Sequence, residues 1–464
     1  MLIDTIRKTI EDQELFSPGD QILIGLSGGG DSVGLFHLLL QLSGEYGYRL
    51  AAAHLHHGIR PEADAEMEFV RRLCVDHGVV LHIRHADIPR VCRSRGCSEE
   101  VAGRRERYHY FSQLMELHGY SALALGHHGG DQAETILHNL IRGTGLRGLG
   151  GIRPVRGRIR RPLLETGPGE IRRWLQQQGL SWVEDPSNLD MRYTRNRIRH
   201  QLIPLLEEFN PRLVSGLAGL APVLQEDEDC LRGLTEDFFR TEVRAWGRMQ
   251  LNISKNKLLE LPSAIRRRTW REAYYRMTGQ SLERRYTGEL ETLAGSGGST
   301  LMLPGRIRCT MGKELVTLSR HSGTVEGFSL LAGGPGEYRI PGDMVLAIRE
   351  DPVPDRDTLR DNSGLVAWLD AGSVTWPLTI RNRLPGDRYM PLGGTGARDV
   401  AAMLAGRGFR GDIRTQMPVV LDAQGRIFWC GGLRVEGSFR IREDSRQALS
   451  VRLLSRFECA GSLC

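Results

Sequence analysis

The sequence predicts an α/β protein. Its N-terminal domain holds a parallel sheet covered by helices, followed by a mainly helical middle domain and a small α+β C-terminal domain. Three observations predict it. Strand-like and helix-like segments alternate over the first 200 residues, the rhythm of a parallel sheet with helices on both faces. Residues with chemistry to offer gather where the strand-like segments end, and in such sheets ligands bind beyond the carboxyl ends of the strands. The alternation then stops near Pro211, and helix-spaced apolar positions set among arginines take over to about residue 290.

The elements follow in order. Gln21 to Leu26 is a short β-rich run ending at glycines, and Val33 to Leu42 is apolar and of helix length. Arg49 to Leu55 reads as a second strand, Glu62 to His77 as an amphipathic helix and Val79 to Ile83 as a third strand. Ser98 to His118 opens with Ser-Glu-Glu, a helix start signal, and runs as a long helix. Ser121 to Leu125 is a buried strand and Asp131 to Arg142 a helix. Short strands are expected from Leu301 to Glu326, and from 376 to 455 around one helix near Val400 to Ala405. The expected domains are 1–212, catalytic; 213–325, mainly helical; 326–375, a linker region that is rich in Gly, Pro and Asp over 333–364 and carries scattered strands; and 376–464, C-terminal.

Composition narrows the class. With 40% hydrophobic and 25% charged residues the chain reads as a soluble globular protein. No apolar run approaches the roughly 20 residues of a membrane span, and Met1 to Phe16 lacks the apolar core of a signal peptide. A cytoplasmic location is expected. The eight cysteines contain no Cys-x-x-Cys pair and read as reduced thiols. The net charge is +6, yet only Lys8, Lys255, Lys257 and Lys313 are lysines. Arginine grips phosphate in a fork and stacks on bases, so this bias suits an RNA partner, as it also suits a base-composition bias of the genome.

Ser27-Gly28-Gly29-Gly30-Asp31-Ser32 lies between a strand and a helix. Glycines let backbone N–H groups converge on an anion, and the helix N-terminus adds partial positive charge. Ser27 and Ser32 offer hydroxyl donors. Asp31 repels phosphate, so a carboxylate there makes sense as a Mg2+ ligand. The spacing is neither Gly-x-x-x-x-Gly-Lys-Ser/Thr nor Gly-x-Gly-x-x-Gly. Ser-Gly-Gly-x-Asp-Ser resembles the pyrophosphate loop of ATP pyrophosphatases, which form an AMP ester and release pyrophosphate.

Two histidine segments complete the strand ends. His54-Leu55-His56-His57-Gly58-Ile59-Arg60 ends the second strand, and Gly126-His127-His128-Gly129-Gly130-Asp131-Gln132-Ala133-Glu134-Thr135 opens a helix. Asp131, Glu134 and His138 are spaced three and four apart, on one helical face. A zinc-hydrolase reading of the histidines lacks the downstream aspartate and histidine. Structural histidines at a strand end, and nucleotide and substrate binding, both stay open from spacing alone.

Further segments then follow in order. They are Ser98 to Tyr108, Leu140 to Gly145 with Gly148-Leu149, and Arg161-Pro162-Leu163-Leu164. Trp182 to Asn188 comes next, then Asp190, Tyr193, Arg195-Asn196 and Arg199. With the loop and the histidine segments they resemble the tRNA(Ile)-lysidine synthetases of the PP-loop superfamily, across residues 21 to 204. The resemblance implies a ligase that uses ATP and Mg2+ to adenylate O2 of the wobble cytidine in an isoleucine tRNA. Free L-lysine then displaces AMP to give lysidine. It implies an ATP site at Ser27, Gly28, Gly29, Gly30, Asp31, Ser32 and His54, with Asp31 on Mg2+ and Asp31 and Asp131 catalytic. His127, Asp131, Glu134 and Arg104 are candidates for contact with lysine or cytidine. Arg195, Arg197 and Arg199, in a basic stretch that also reads as a solvated helix face, are candidates for tRNA contact.

Arg381 to Arg388 with Pro391-Leu392-Gly393, Met417 to Val420 and Gly431 to Arg434 resemble the family's distal tRNA-binding domain. Arg388 and Arg398 are its candidate contacts here, with Arg407, Arg410 and Arg414 as further phosphate partners. The sequence departs from the family pattern twice. Gly130 stands where an Asp-Asp pair usually begins, and Ala397-Arg398 where a Lys-Lys pair usually stands. A tRNA thiolase would call for paired cysteines or a cluster motif, which the sequence lacks. An RNA-binding relic would have little reason to keep Asp31. A homodimer is compatible with the sequence.

Overall fold

The computed structural model describes residues 2–58, 62–167, 169–184, 190–246, 248–295, 299–320, 327–341, 344–355, 357–360, 364–409 and 411–455. Ile59, Arg60, Asp185 to Asn188, Arg410, Cys459 and Cys464 lie outside them. The chain divides into two compact units, Met1–Cys230 and Leu231–Cys464.

The first unit opens with α1 (Leu2–Asp12), β1 (Gln21–Gly25), α2 (Gly30–Tyr46), β2 (Arg49–His56), α3 (Glu62–Asp76) and β3 (Val80–His85). Next come α4 (Ile88–Arg95), α5 (Glu99–His118), β4 (Ala122–Ala124), α6 (Gly129–Ile141) and α7 (Leu146–Leu149). β5 (Val155–Arg156), β6 (Ile159–Arg160), α8 (Glu170–Gln177), α9 (Thr194–Arg197), a π-helical turn (Ile198–Leu202) and α10 (Ile203–Phe209) complete it. The sheet order is β3-β2-β1-β4-β6-β5, parallel except for β5. Alternation along β1 explains the three layers. Ile22 and Ile24 join a core with α1, α2 and α8, while Leu23 faces Tyr110, Phe111 and Leu114 of α5. All three β1 side chains are fully buried, each worth about 1.5–3 kcal/mol of apolar transfer. Chain order reverses at β1, which has β2 on one side and β4 on the other. That is the switch point where a crevice opens in such sheets.

Helix α11 (Leu213–Glu242) begins in the first unit and continues into the second. In the second unit β7 (Val243–Trp246), β8 (Gln250–Ser254), α12 (Lys255–Glu260), α13 (Ser263–Thr278), α14 (Arg284–Gly295), β9 (Ser299–Leu303), β10 (Ile307–Met311) and β11 (Leu315–Arg320) follow. They form helices over an antiparallel sheet ordered β7-β8-β11-β10-β9, around Trp270, Tyr274 and Leu318. Strands β7 and β8 lie within the stretch read as helical.

The remaining strands are β12 (Ser329–Ala332), β13 (Gly336–Ile340), β14 (Met344–Asp351), β15 (Val366–Asp370), β16 (Leu378–Asn382), β17 (Arg388–Tyr389) and β18 (Arg398–Asp399). After α15 (Val400–Gly406) and α16 (Gly411–Gln416) come β19 (Pro418–Leu421), β20 (Ile427–Cys430) and β21 (Ala448–Ser455). Two four-stranded sheets, β12-β16-β19-β20 and β13-β14-β21-β15, contribute to one core. The stretch 326–375, expected as a linker region with scattered strands, contributes β12, β13, β14 and β15 to these sheets. Ala332, Ile340, Met344, Leu346, Ile348 and Leu369 from that stretch are buried core residues. Its Gly, Pro and Asp residues punctuate strands of the C-terminal sheets.

Among the described residues no helix is long and apolar enough to cross a membrane, and the cysteines are free.

Candidate active site

The glycine loop closes around itself before any ligand arrives. Gly28 has φ +93°, a backbone conformation suited to glycine. Ser32 Oγ donates to the Gly29 carbonyl at 2.9 Å and accepts from the Ser27 N–H at 3.2 Å. Ser27 Oγ lies 3.1 Å from Ser32 Oγ. Both serines therefore hold the turn. The Val183 N–H donates to the Gly28 carbonyl at 3.0 Å, so the segment before residue 185 braces the loop from outside.

The loop lines a cavity of about 350 Å3 at the switch point, bounded also by His54, Gly126, His127, Arg107, Arg172 and Arg199. His54 is buried, and its Nδ1 sits 2.9 Å from the Leu26 carbonyl. A carbonyl only accepts, so Nδ1 carries the proton and Nε2 is the bare nitrogen. Burial pushes the pKa of His54 down. Gly126 lets β4 approach the loop helix, because a Cβ there would stand 2.9 Å from the Asp31 carbonyl oxygen.

Helix α6 starts on an unusual cap. The Gly130 N–H donates to His128 Nδ1 at 2.9 Å, and the His128 N–H donates to Asp131 Oδ2 at 3.0 Å, a reciprocal capping box. With Nδ1 accepting, the proton sits on Nε2, which lies 3.6 Å from Asp31 Oδ2 and 3.8 Å from Asp131 Oδ2. His128 thus joins the loop carboxylate to the helix carboxylate. The Gly130 N–H fixes this tautomer.

Asp31 and Asp131 differ in surroundings. Solvent reaches 41% of the Asp31 side chain, but the recess around it still disfavours charge. Burial first, then the Asp131 carboxylate, raises its pKa against the opposing pull of His128, Arg172 and Arg199. Asp131 is 14% exposed. Burial opposes its charge too, but His128, His127, Arg195 and the His128 N–H outweigh it, and its pKa falls below the usual value.

Glu134 is buried at 2% exposure, with both oxygens occupied. Arg195 Nε donates to Oε2 at 3.0 Å and Arg199 Nε donates to Oε1. Arg199 Nη2 also donates to Asp131 Oδ1 at 3.1 Å. Arg195 and Arg199, candidates for tRNA contact from sequence, keep 35% and 33% side-chain exposure, and their guanidiniums turn onto α6 through α9 and the π-helical turn. Arg197 between them is exposed. His138 does not line the cavity.

His127 lines the cavity, and burial pushes its pKa down to about 4. Its Nδ1 is buried without a hydrogen-bond partner among the described residues. Arg104 is exposed, with its guanidinium 5.1 Å from the Tyr108 ring centre. Among the described residues no group of three or more His, Cys, Asp and Glu is arranged to hold a metal ion. In the second unit Arg388 and Arg398 are exposed on the β17–β18 ribbon, and both line a separate cavity of about 730 Å3 with Arg407 and Arg434.

Residues 3–206 match the family model described as a PP-loop domain. The chain is 34% identical over 449 residues to a tRNA(Ile)-lysidine synthase of Geobacillus kaustophilus, covering 93% of this chain and 95% of that protein. A tRNA(Ile)-lysidine synthase of Geobacter sulfurreducens is 32% identical, with 98% of each covered. The chain belongs to the tRNA(Ile)-lysidine synthase family. Among solved structures, a U34-tRNA thiolase of Methanococcus maripaludis is 20% identical at TM-score 0.40, covering 48% of this chain and 78% of that one. So loose a likeness bears no argument about substrate.

Family membership sorts the motifs. Arg161 of Arg-Pro-Leu-Leu is buried, donates to the Arg153 carbonyl at 2.6 Å, and stands before the buried Leu163 and Leu164. Leu163 belongs to the core that α1, α2 and α8 share. Sequence reading singled out neither Arg107 nor Arg172. Arg107 Nη2 donates to His57 Nε2 at 3.1 Å. Arg107 falls within the Ser98 to Tyr108 motif, whereas Arg172 falls in no motif.

Proposed function

We propose that the chain acts as a lysidine-forming ligase on an isoleucine tRNA with a wobble cytidine. The observation that carries this reading is the switch-point cavity, lined by a serine-closed glycine loop whose Asp31 shares His128 with Asp131. Cytidine O2 attacks the α-phosphorus of ATP and displaces diphosphate. The neutral ε-amine of free L-lysine then attacks C2, and O2 leaves with AMP. Activation is needed because the base carbonyl alone is a poor electrophile and AMP a far better leaving group than oxide.

Loop N–H groups and the α2 N-terminus hold the phosphates. The Asp31 carboxylate, open to the cavity and adjacent to the loop, suits Mg2+, which favours one or two carboxylates plus phosphate oxygens. When bound, Mg2+ would neutralise charge on the departing diphosphate. Asp131, kept ionised, attracts the lysine ammonium, which must share the carboxylate with Arg199. Glu134 anchors Arg195 and Arg199. His127, neutral and lining the cavity, is the candidate for contact with the cytosine edge or the amine. Arg104, Arg197, Arg388 and Arg398 are the exposed candidates for tRNA contact, and a homodimer belongs to the same proposal.

The test is incubation of the full chain with ATP, Mg2+, labelled lysine and isoleucine tRNA. Stoichiometric lysine incorporation with AMP and diphosphate release is expected. Tight tRNA binding without incorporation would overturn the reading. Sedimentation with and without tRNA reads the assembly state.

A further inference from the structure

The loop contains no lysine, and Lys8 is the only lysine of the first unit. Permanently charged side chains for a triphosphate are therefore arginines. Three line the cavity: Arg107, Arg172 and Arg199. Arg199 is committed to Glu134 and Asp131, and Arg107 to His57.

Arg172 differs from both. Its position is fixed by neighbours: Ile171 packs so closely on Gly34 of α2 that a Cβ there would be 2.3 Å from Ile171 Cγ2. Trp174 and Leu175 are buried in the core shared with α2. Helix α8 is thus pinned to the helix that the glycine loop opens. The Arg172 stem lies over the third loop glycine, with Cγ 3.5 Å from where a Gly30 Cβ would be. Its guanidinium is held weakly. Nη1 lies 3.5 Å from Glu184 Oε1, an oxygen that already accepts from Trp182 Nε1 at 3.1 Å. The side chains of Arg172 and Glu184 are 50% and 65% exposed, and an exposed pair of this kind is readily exchanged for a better anion. The charge of Arg172 is also felt by Asp31.

We infer that Arg172 leaves Glu184 when ATP binds and grips the β- and γ-phosphates, serving as the cation that the loop itself lacks. This rests on the ATP reading of the cavity. Glu184 is then a competitor for the guanidinium, and the pair sets how tightly the triphosphate is held relative to AMP. Diphosphate would be held by the same side chain after adenylation.

Equilibrium dialysis of labelled ATP and labelled AMP against the full chain in Mg2+ tests it. Arg172→Gln should weaken ATP binding roughly tenfold or more, the loss expected for a charged hydrogen bond, and leave AMP binding within about twofold. Arg172→Lys should recover part of it, because a point charge replaces the fork. Glu184→Gln keeps an acceptor for Trp182 but removes the competing charge, so it should tighten ATP binding. Opposite signs for Arg172→Gln and Glu184→Gln support phosphate contact. Equal weakening by both, or unchanged ATP binding in Arg172→Gln, overturns the inference while leaving the ATP reading standing. Failure of the unsubstituted chain to bind ATP overturns both.

Discussion

Asp31 at the glycine loop and Asp131 at the start of α6 face the same His128 nitrogen, 3.6 and 3.8 Å away. They are nonetheless opposites. The Asp131 carboxylate is filled by protein, with an N–H from His128 and the Arg199 guanidinium on it. No side-chain hydrogen bond to Asp31 is formed among the described residues, and its pKa is raised where that of Asp131 is lowered. A carboxylate that the fold has already satisfied is suited to orient and attract. One that the fold leaves costly to ionise is suited to a cation that arrives with the substrate.

The largest expected effect tests that division directly. Asp31→Ala should lower AMP formation on tRNA by roughly a thousandfold, the scale of a lost charge-stabilising contact at a transition state. Affinity for tRNA should stay within about twofold, because phosphate contacts elsewhere set it. Rapid-quench measurement of AMP ester formation is the readout. Near-normal turnover would remove Asp31 from metal binding and collapse its contrast with Asp131.

Glu134→Gln probes the filled side of the comparison. It leaves the Arg195 and Arg199 guanidiniums facing a neutral amide in a site where Glu134 is 2% exposed. Breaking a buried pair costs about 3–5 kcal/mol, and since both arginines keep some solvent, about 2 kcal/mol is expected here. A lowered urea midpoint with unchanged slope would show it. A loss below about 0.5 kcal/mol would mean that the arginines turn to solvent freely.

Gly126→Ala acts on the spacing between the two regions. Its Cβ would meet the Asp31 carbonyl oxygen at 2.9 Å, and backbone cannot swing aside as a side chain can. Displacement of the loop should weaken ATP binding by about tenfold, equivalent to about 1.4 kcal/mol. Dialysis measures it, and circular dichroism should remain native. Unchanged ATP affinity would show that the loop tolerates a shift.

How far these two regions could be read in the sequence follows from how local their determinants are. The loop was legible because strand, glycines, serines and helix lie within about a dozen residues and each has its own signature. The long helix α5 was legible from Ser98, whose side chain does accept from the Val101 N–H, at 3.4 Å. Helix α6 was read two residues late because its cap is a histidine, outside the usual capping set. Spacing rightly placed Asp131 and Glu134 on one face. It could not show that arginines 61 and 65 residues further on would occupy Glu134. Arg172 had no local signal, since its role depends on the packing of α8 against α2. In the second unit β7 and β8 were read as helix because isolated apolar positions among arginines fit either period over so short a span.

The smallest effect is the one that separates the two aspartates by sign. A carboxyl with a raised folded-state pKa has its relative stabilisation below the unfolded value, and loses it as pH rises through the folded value. Asp31 is of this kind. Asp31→Asn should therefore stabilise the protein at pH 7, by only about 0.5 kcal/mol because the side chain is well solvated. The gain should shrink as pH falls toward 4. Asp131 has a lowered pKa, so its stabilisation is present above the unfolded value and is lost as pH falls through the folded one. Asp131→Asn should destabilise at pH 7, and the deficit should close in more acidic solution. Thermal melts from about pH 2 to 8 read both curves. Adding Mg2+ and ATP should cancel the advantage of Asp31→Asn, since a cation on the carboxylate removes the cost of its charge. If both variants shift stability in the same direction at every pH, the two carboxylates are equivalent in the free protein. Their division of labour would then have to arise only once substrate is bound.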